Sequence, residues 1–265
     1  MASELTDISS IFMRSTFKIQ GNKSLGTAFI MGEPIPGSPG KGAFVLITAA
    51  HVLEEMEGDI ATIFLRKKIN DKYIKFPTQI QIRREGKPLW IRHSQVDIAA
   101  MRIALPEGVD IQIFSTELLA TDKMLEEFEI HPGDELIVLG FPYGAEANDA
   151  GFPILRSGRI ASFPLTPTES TKLFLLDFAV FKGNSGGPVF MHAENRNYKG
   201  GTVIGVTRMV MGLVSQEMSL KERIESLSET MEREHKLGIA MVVHAQFIGD
   251  TIKMLPPLPI PVEGK

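Results

Sequence analysis

Short apolar runs separated by Gly, Pro, Asn and Asp recur along most of the chain. Runs of about five to ten residues bounded by such turn residues are typical of strands in a sandwich or barrel. The pattern therefore predicts an all-β protein. The predicted strands cover residues 25–31, 43–50, 60–66, 77–83, 98–104, 135–141, 153–162, 173–181, 187–191, 202–211 and 238–243.

Residues 219–236 follow a different period. An apolar residue recurs at spacings of 4, 3 and 4 positions, which predicts an amphipathic helix. The stripe consists of Leu220, Ile224, Leu227 and Met231. Ser219 and Glu222 stand at the spacing of a capping box at the start of this helix.

Three further segments lie between or beyond the strands. Residues 32–42 (GEPIPGSPGKG) are too rich in Gly and Pro for a regular strand and predict an elongated hairpin loop. Residues 245–255 predict a closing helix that turns Ile248, Ile252 and Leu255 inward. The Pro-rich tail 256–265 is expected to be extended.

The segment 183–188 (GNSGGP) carries the candidate nucleophile. Glycines on both sides of Ser185 favour a tight turn that exposes its hydroxyl group. Such a turn also leaves the backbone N–H groups of Gly183 and Ser185 free to point at a carbonyl oxygen. A presented nucleophile and an oxyanion hole are two requirements of acyl transfer, but the turn alone is equally compatible with a structural role.

A candidate base and a candidate acid precede this serine. His51 follows the apolar run VLITAA, whose small last residues allow other groups to approach the imidazole closely. Asp97 opens a second apolar strand, DIAAMRI, and is well placed to hold an imidazole N–H. The order along the chain is His51, Asp97, Ser185, which is one of the known orders of a catalytic triad.

The blocks TAAH, DIAxxRI and GNSGGPV resemble the three signature blocks of trypsin-like (chymotrypsin-fold) serine proteases. Asn184 before the serine, and the strand 177–182 leading to it, are more similar to the HtrA/DegP branch than to the digestive enzymes. The resemblance runs from about Phe17 to about Leu255. The PDZ domains common in HtrA proteins are not expected, since the chain stops shortly afterwards.

The resemblance implies two six-stranded antiparallel β-barrels with the triad in the cleft between them. After an N-terminal extension over 1–11, the first barrel would span 12–108 and carry His51 and Asp97. The second would span 109–255 and carry Ser185, the helical insertion 219–236 and the closing helix. The insertion would border the specificity pocket. It would either simply pack on the second barrel, or act as a gate over the pocket or as an oligomer contact.

The resemblance also implies an activity and the role of each residue. Ser185 would attack a peptide carbonyl, His51 would move the proton, Asp97 would orient His51, and no metal or organic cofactor would be needed. Ala179 would lie at the base of the substrate pocket, with Thr207 and Met209 in its wall. Without an acid at that base, we expect small to medium apolar P1 residues.

Two alternatives to a serine endopeptidase stay open at this point. One is a binding or scaffold protein of the protease fold with a gated, inactive triad; the other is an acyl-transfer enzyme such as an esterase. Asn184 stands where trypsin-like zymogens have a carboxylate that pairs with the new N-terminus. Activation by clipping would therefore lack its partner charge, and loop ordering by substrate or assembly is the alternative.

Composition narrows the remaining classes. A net charge of −4 and a pI near 5.9 argue against a nucleic-acid-binding surface. The absence of cysteine excludes disulfides, a cysteine nucleophile and a thiolate metal site, and the remaining histidines lack metal-ligand spacing. No signal peptide and no run of about 18 apolar residues is recognisable, so a cytoplasmic protein without a membrane span is expected.

Overall fold

A computed structural model describes residues 7–258 with the exception of residues 36, 39–41, 199, 203–204 and 226–229. The apolar runs form strands, so the prediction of an all-β chain is confirmed. The strands are β1 Thr16–Gln20, β2 Leu25–Pro34, β3 Gly42–Thr48, β4 Ile60–Ile69, β5 Lys72–Gln81, β6 Arg83–Arg84, β7 Lys87–Pro88, β8 Ile91–Arg92, β9 Ala99–Arg102, β10 Phe114–Ser115, β11 Glu135–Gly140, β12 Ile154–Ile160, β13 Leu173–Asp177, β14 Pro188–Glu194, β15 Asn197–Tyr198, β16 Gly201–Thr202, β17 Val206–Glu225 and β18 Thr230–His244. The helices are α1 Ile8–Ser15, α2 Ala50–Glu54, α3 Asp122–Glu127 and α4 Ala245–Lys253, with 3-10 turns at Thr116–Leu118 and Pro142–Gly144.

The first half of the chain forms one eight-stranded sheet. Its strands lie in the order β5-β4-β1-β2-β3-β9-β8, and β10 pairs with β2 in parallel. The two ends of this order, β5 and β8, are not paired with each other in the described residues, so the sheet is less closed than the expected barrel. The register of β3 against β9 places Thr48 opposite Ala99. Chain segments that follow β3 and precede β9 therefore meet at one edge.

The second half forms a closed six-stranded barrel, as expected. Its strands follow the order β11-β12-β13-β18-β17-β14. Helix α4 begins where β18 ends and buries Ile248 and Ile252 against the core, which confirms the predicted closing helix. Helix α1 joins the two halves, since the ring of Phe12 lies 4.3 Å from Phe114 and 4.0 Å from Phe190.

The predicted helix over 219–236 is wrong. Strands β17 and β18 continue beyond the barrel as a paired ribbon that runs from Ser219 opposite Lys236 to Glu225 opposite Thr230. The register places opposite charges across the ribbon, such as Lys221 on Glu234, and opposite-charge cross-strand pairs stabilise a hairpin. The ribbon also continues two strands of the barrel that are already extended, and this context outweighs the weak helical spacing of the apolar residues. Leu227, one residue of the predicted stripe, lies outside the described residues.

The loop predicted over 32–42 is shorter than expected. Strands β2 and β3 pair up to Pro34 opposite Gly42, so only the intervening residues connect them. The tail is described only as far as residue 258, and the rest of the predicted extended segment lies outside the described residues.

Candidate active site

His51 and Asp97 meet at the edge where β3 ends and β9 begins. Helix α2 starts directly after β3 and places His51 in its first turn, while Asp97 stands two residues before β9. The Nδ1 atom of His51 lies 2.7 Å from Asp97 Oδ2. The backbone N–H of His51 also donates to Asp97 Oδ1 at 3.0 Å. The Asp97 carboxylate thus forms hydrogen bonds with both the ring and the main chain of His51.

The pKa values of this pair follow from that contact. Burial lowers the pKa of His51, but the hydrogen bond and the charge of Asp97 outweigh it and leave the pKa above its ordinary 6.5. Burial raises the pKa of Asp97, but the hydrogen bonds and charge of its partners lower it to about 2. Asp97 is therefore ionised at neutral pH and holds a proton on His51 Nδ1.

Ser215 completes the surroundings of Asp97, and sequence reasoning missed it. Its Oγ donates to Asp97 Oδ2 at 2.7 Å from strand β17 of the second barrel. The signal in the sequence is weak: a small polar residue that ends the apolar run MVMGLV. Only the pairing of β17 with the rest of the barrel shows that this serine reaches Asp97.

Ser185 sits on a turn that is fastened to both halves of the molecule. Its carbonyl accepts the N–H of Thr27 at 2.9 Å, and Gly186 N–H donates to Val214 O at 2.7 Å. A Cβ at Gly186 would lie 2.1 Å from Thr27 O and 2.2 Å from Thr48 Oγ1, so only glycine fits. The turn is therefore held beside β2, beside the segment leading to His51 and beside the strand of Ser215.

The structure thus joins His51 to Asp97 and holds the turn of Ser185 next to Thr48 and Val214, the neighbours of the segments that carry His51 and Ser215. No hydrogen bond joins His51 Nε2 to Ser185 Oγ within the described part of the chain. Catalytic hydrogen bonds often form or shorten only when substrate is bound, so the lack of this hydrogen bond is compatible with an active enzyme.

The backbone on both sides of Gly183, where the oxyanion hole is predicted, is held by hydrogen bonds. The N–H groups of Gly183 and Ser185 donate to no protein acceptor among the described residues. The peptide before Gly183 is fixed because Tyr143 N–H donates to Lys182 O at 2.6 Å. The carbonyl after it is fixed by Thr27 Oγ1, which donates to Gly183 O at 2.6 Å.

The predicted pocket residues are only partly near this turn. Ala179 lies on the segment between β13 and Ser185, half-buried, and its carbonyl accepts from Arg156 Nη1 at 2.9 Å. Thr207 and Met209 lie at the other end of β17, opposite Ala193 and Met191. At about 3.3 Å per residue they are about 17–23 Å along the strand from Val214.

The structure therefore does not bring Thr207 and Met209 beside the turn of Ser185, where the pocket prediction required them; the part of β17 that contacts this turn is Val214, followed by Ser215. The prediction used the first residues of a strand that is 20 residues long, whereas the segment near Ser185 comes later, at Val214 and Ser215. Along that segment, the side chain of Glu217 is mostly buried and its carboxylate lies 3.0 Å from Lys236 Nζ. The charge and hydrogen bond of Glu217 raise the pKa of Lys236.

A cleft of about 510 Å³ adjoins His51 and Asp97. Ser215 also lines this cleft, as do the charged residues Glu55, Arg92 and Lys172. Tyr143 and Phe181 lie beside the oxyanion turn with ring centroids 5.4 Å apart.

The described residues also bear on two other kinds of site, a metal site and a membrane-spanning helix. Across the described ranges, no group of three or more His, Cys, Asp or Glu side chains is arranged to hold a metal ion. In the same part of the chain, no helix has the length and apolar character needed to cross a membrane.

Comparison with known proteins gives one family. The profile of the trypsin-like peptidase domain matches residues 26–206, which include His51, Asp97 and Ser185. No curated protein matches the chain. Among solved structures, the inactive form of a serine-to-alanine mutant of Rv3671c from M. tuberculosis H37Rv is similar, with 17% sequence identity and a TM-score of 0.45. That similarity covers 94% of this chain and 89% of the other.

Proposed function

Because the chain belongs to the trypsin-like peptidase family, we propose that it is a serine endopeptidase that cleaves polypeptides through a covalent acyl-enzyme. The observation that carries this proposal is the hydrogen-bonded chain from Ser215 through Asp97 to His51, with Ser185 on a fastened turn beside it. The neighbouring cleft supports a polypeptide as the substrate.

Each step uses a group at a defined place. Asp97 stays ionised and keeps the proton of His51 on Nδ1, so that Nε2 is free to accept the proton of Ser185 Oγ. The alkoxide oxygen attacks the peptide carbonyl, and His51 returns the proton to the leaving amine. The N–H groups of Gly183 and Ser185 stabilise the negative oxygen, an effect of about 3–4 kcal/mol per donor in comparable sites. Water then repeats the sequence on the acyl-enzyme.

The pocket supports small to medium apolar P1 residues. Ala179 presents no charge, and Arg156 is engaged with its carbonyl and with the ring of Phe178 at 4.2 Å. Glu217 is the nearest acid along the strand of Ser215, but Lys236 neutralises it. An unpaired Lys or Arg side chain entering such a pocket would keep most of its desolvation cost.

One observation favours a second candidate. The absence of a His51–Ser185 hydrogen bond in the described residues is also what a scaffold with a gated, inactive triad would show. In that case the protein would bind polypeptides through the same cleft without cleaving them.

The two candidates differ in turnover. We expect purified protein to cleave a peptide library, with cleavage sites read by mass spectrometry and with Ser185→Ala and His51→Ala as controls. Cleavage after apolar P1 residues that disappears in both variants would support the endopeptidase. A dominant Lys or Arg at P1 would overturn the specificity proposal. Binding without turnover in folded wild-type protein would overturn the enzyme and leave the scaffold.

A further inference from the structure

The loop over residues 142–152, which joins β11 to β12, sets the orientation of one oxyanion donor. Tyr143 N–H holds the carbonyl of Lys182. The C=O and N–H of a trans peptide point in opposite directions, so this bond directs the Gly183 N–H away from the loop. A Cβ at Gly183 would lie 2.2 Å from Phe141 O and 3.5 Å from Gly144 N, which shows how closely the turn follows the loop. A shift of the loop would therefore turn the donor.

One end of this loop is anchored to the first sheet by a single carboxylate. Glu146 Oε1 lies 2.5 Å from Lys18 Nζ on β1, and Oε2 pairs with Lys75 Nζ on β5. The side chains of Glu146 and Lys18 are each 13% exposed. Burial raises the pKa of Glu146, but the two ammonium groups outweigh it and hold the pKa below its ordinary value. The carboxylate is thus charged and shared between two strands of the other half of the molecule.

The other end of the loop is anchored by a fully buried guanidinium. Arg66 on β4 donates from Nη1 to Gly151 O at 2.8 Å. Its Nη2 donates to three backbone carbonyls within residues 13–16, at 2.9–3.1 Å. The guanidinium also lies between the rings of Phe17 and Phe152, 4.4 and 4.3 Å from their centroids. One side chain therefore joins the loop to the end of α1 and the start of β1.

The turn that carries Gly183 and Ser185 is held by backbone hydrogen bonds and by Thr27 Oγ1, without a charged side chain of its own. The Oδ1 atom of Asn184 is buried and has no hydrogen-bond partner among the described residues. Its amide side chain brings no charge to the turn, so the contacts that hold the turn come from Tyr143 of the loop, from Thr27 and from Val214.

We propose that Glu146 and Arg66 are positioning residues that clamp the 142–152 loop against the first sheet and thereby hold the Gly183 N–H in the oxyanion hole. This inference rests on the proposed endopeptidase function. It makes catalysis depend on contacts between the two halves of the molecule, at side chains that do not touch the substrate. The clamp acts on the transition state more than on bound substrate, because the oxygen becomes negatively charged only as the tetrahedral state forms.

The test is the Glu146→Gln variant, which removes the charge shared by the two lysines. We expect kcat to fall about tenfold, with KM changed by less than about twofold. Complete loss of an oxyanion donor lowers kcat about 10²- to 10³-fold, and this variant should displace one donor for only part of the time. Affinity for a peptide boronate, which mimics the tetrahedral state, should fall by the same factor as kcat. A merely structural role would lower the melting temperature without this selective loss.

The matched control is Glu33→Gln. It removes a similar carboxylate, 21% exposed, from its pair with Arg102 at 2.8 Å in the first sheet, far along the chain from the loop. We expect lower stability and unchanged kcat. Lys75→Gln is a milder second variant of the clamp, since it leaves the Lys18–Glu146 pair, and it should lower kcat in the same direction.

The outcomes separate this inference from the function on which it rests. An active wild type whose folded Glu146→Gln and Lys75→Gln variants keep kcat and boronate affinity within about twofold overturns the clamp alone. A folded wild type that cleaves no peptide overturns the endopeptidase, and with it any catalytic role for the clamp.

Discussion

The Asp97→Asn variant tests the roles given to the charged pair most sharply. Asparagine keeps an oxygen that can accept the backbone N–H of His51, now at 3.0 Å, so the fold of the site should survive. The group that replaces Oδ2 has N–H donors and faces His51 Nδ1 across the present 2.7 Å contact. It would donate to Nδ1 and move the ring proton to Nε2, where it blocks acceptance of the Ser185 proton.

The expected loss follows from this change of tautomer. A histidine locked in the wrong tautomer lowers kcat about 10⁴-fold in a related triad, equivalent to about 5 kcal/mol of transition-state stabilisation. The variant also removes the hydrogen bond and charge that do most to raise the pKa of His51, so that pKa should fall below its value in the wild type, with only Glu54 and Glu55 left to oppose the effect of burial.

The assay is kcat and kcat/KM for a peptide substrate between pH 5 and 9, with circular dichroism as the check on folding. In the wild type, kcat/KM should rise as His51 loses its proton, with an apparent pKa above 6.5. A folded Asp97→Asn variant within about tenfold of the wild type would refute the reasoning, since the ring would then not depend on the carboxylate for its tautomer.

Three further predictions concern the pocket, the oxyanion turn and the core. Gly183→Ala should lower kcat about 10²-fold or more, because Gly183 has φ +98° and an added Cβ would lie 2.2 Å from Phe141 O; unchanged single-turnover acylation would contradict it. Lys236→Met should free the charge of Glu217 and raise cleavage after Lys and Arg in a peptide library, whereas an unchanged profile would place Glu217 outside the pocket. Burial lowers the pKa of His244 to about 4, and its Nε2 atom has no hydrogen-bond partner among the described residues. The folded state therefore favours the neutral ring, and the free energy of unfolding should fall as the pH falls from 6.5 towards 4. Between pH 7 and pH 4.5 the free energy of unfolding, measured with urea, should fall by about 2 kcal/mol because of His244. If a His244→Gln variant shows the same fall, His244 is not its cause.

The sequence was most informative where chemistry is concentrated in contiguous residues. The turn around Ser185 and the strand ends at His51 and Asp97 are local features, and each needs particular small or polar neighbours that can be read directly. The strands were also predictable because their apolar runs end at turn residues. Strand β1 (TFKIQ) escaped notice because only Phe17 and Ile19 alternate within it, too short a pattern to stand out.

The errors arose where distant strands decide the outcome. The stripe that begins at Leu220 has helical spacing, but its partner strand supplies complementary charges and an extended template, and neither can be read from one segment. The same hidden register misplaced the pocket wall at Thr207 and Met209 and concealed Ser215. A single bond from Ser215 to Asp97 depends on residues 118 positions apart in the chain, which no local pattern encodes.

The central claim is that Ser185 is an activated nucleophile. A fluorophosphonate probe followed by peptide mass spectrometry tests it most directly, with Ser185→Ala as the control. The account predicts labelling of the wild type on Ser185 and none in the variant. A folded wild-type protein that remains unlabelled, or labelling that persists in the Ser185→Ala variant, would contradict the account.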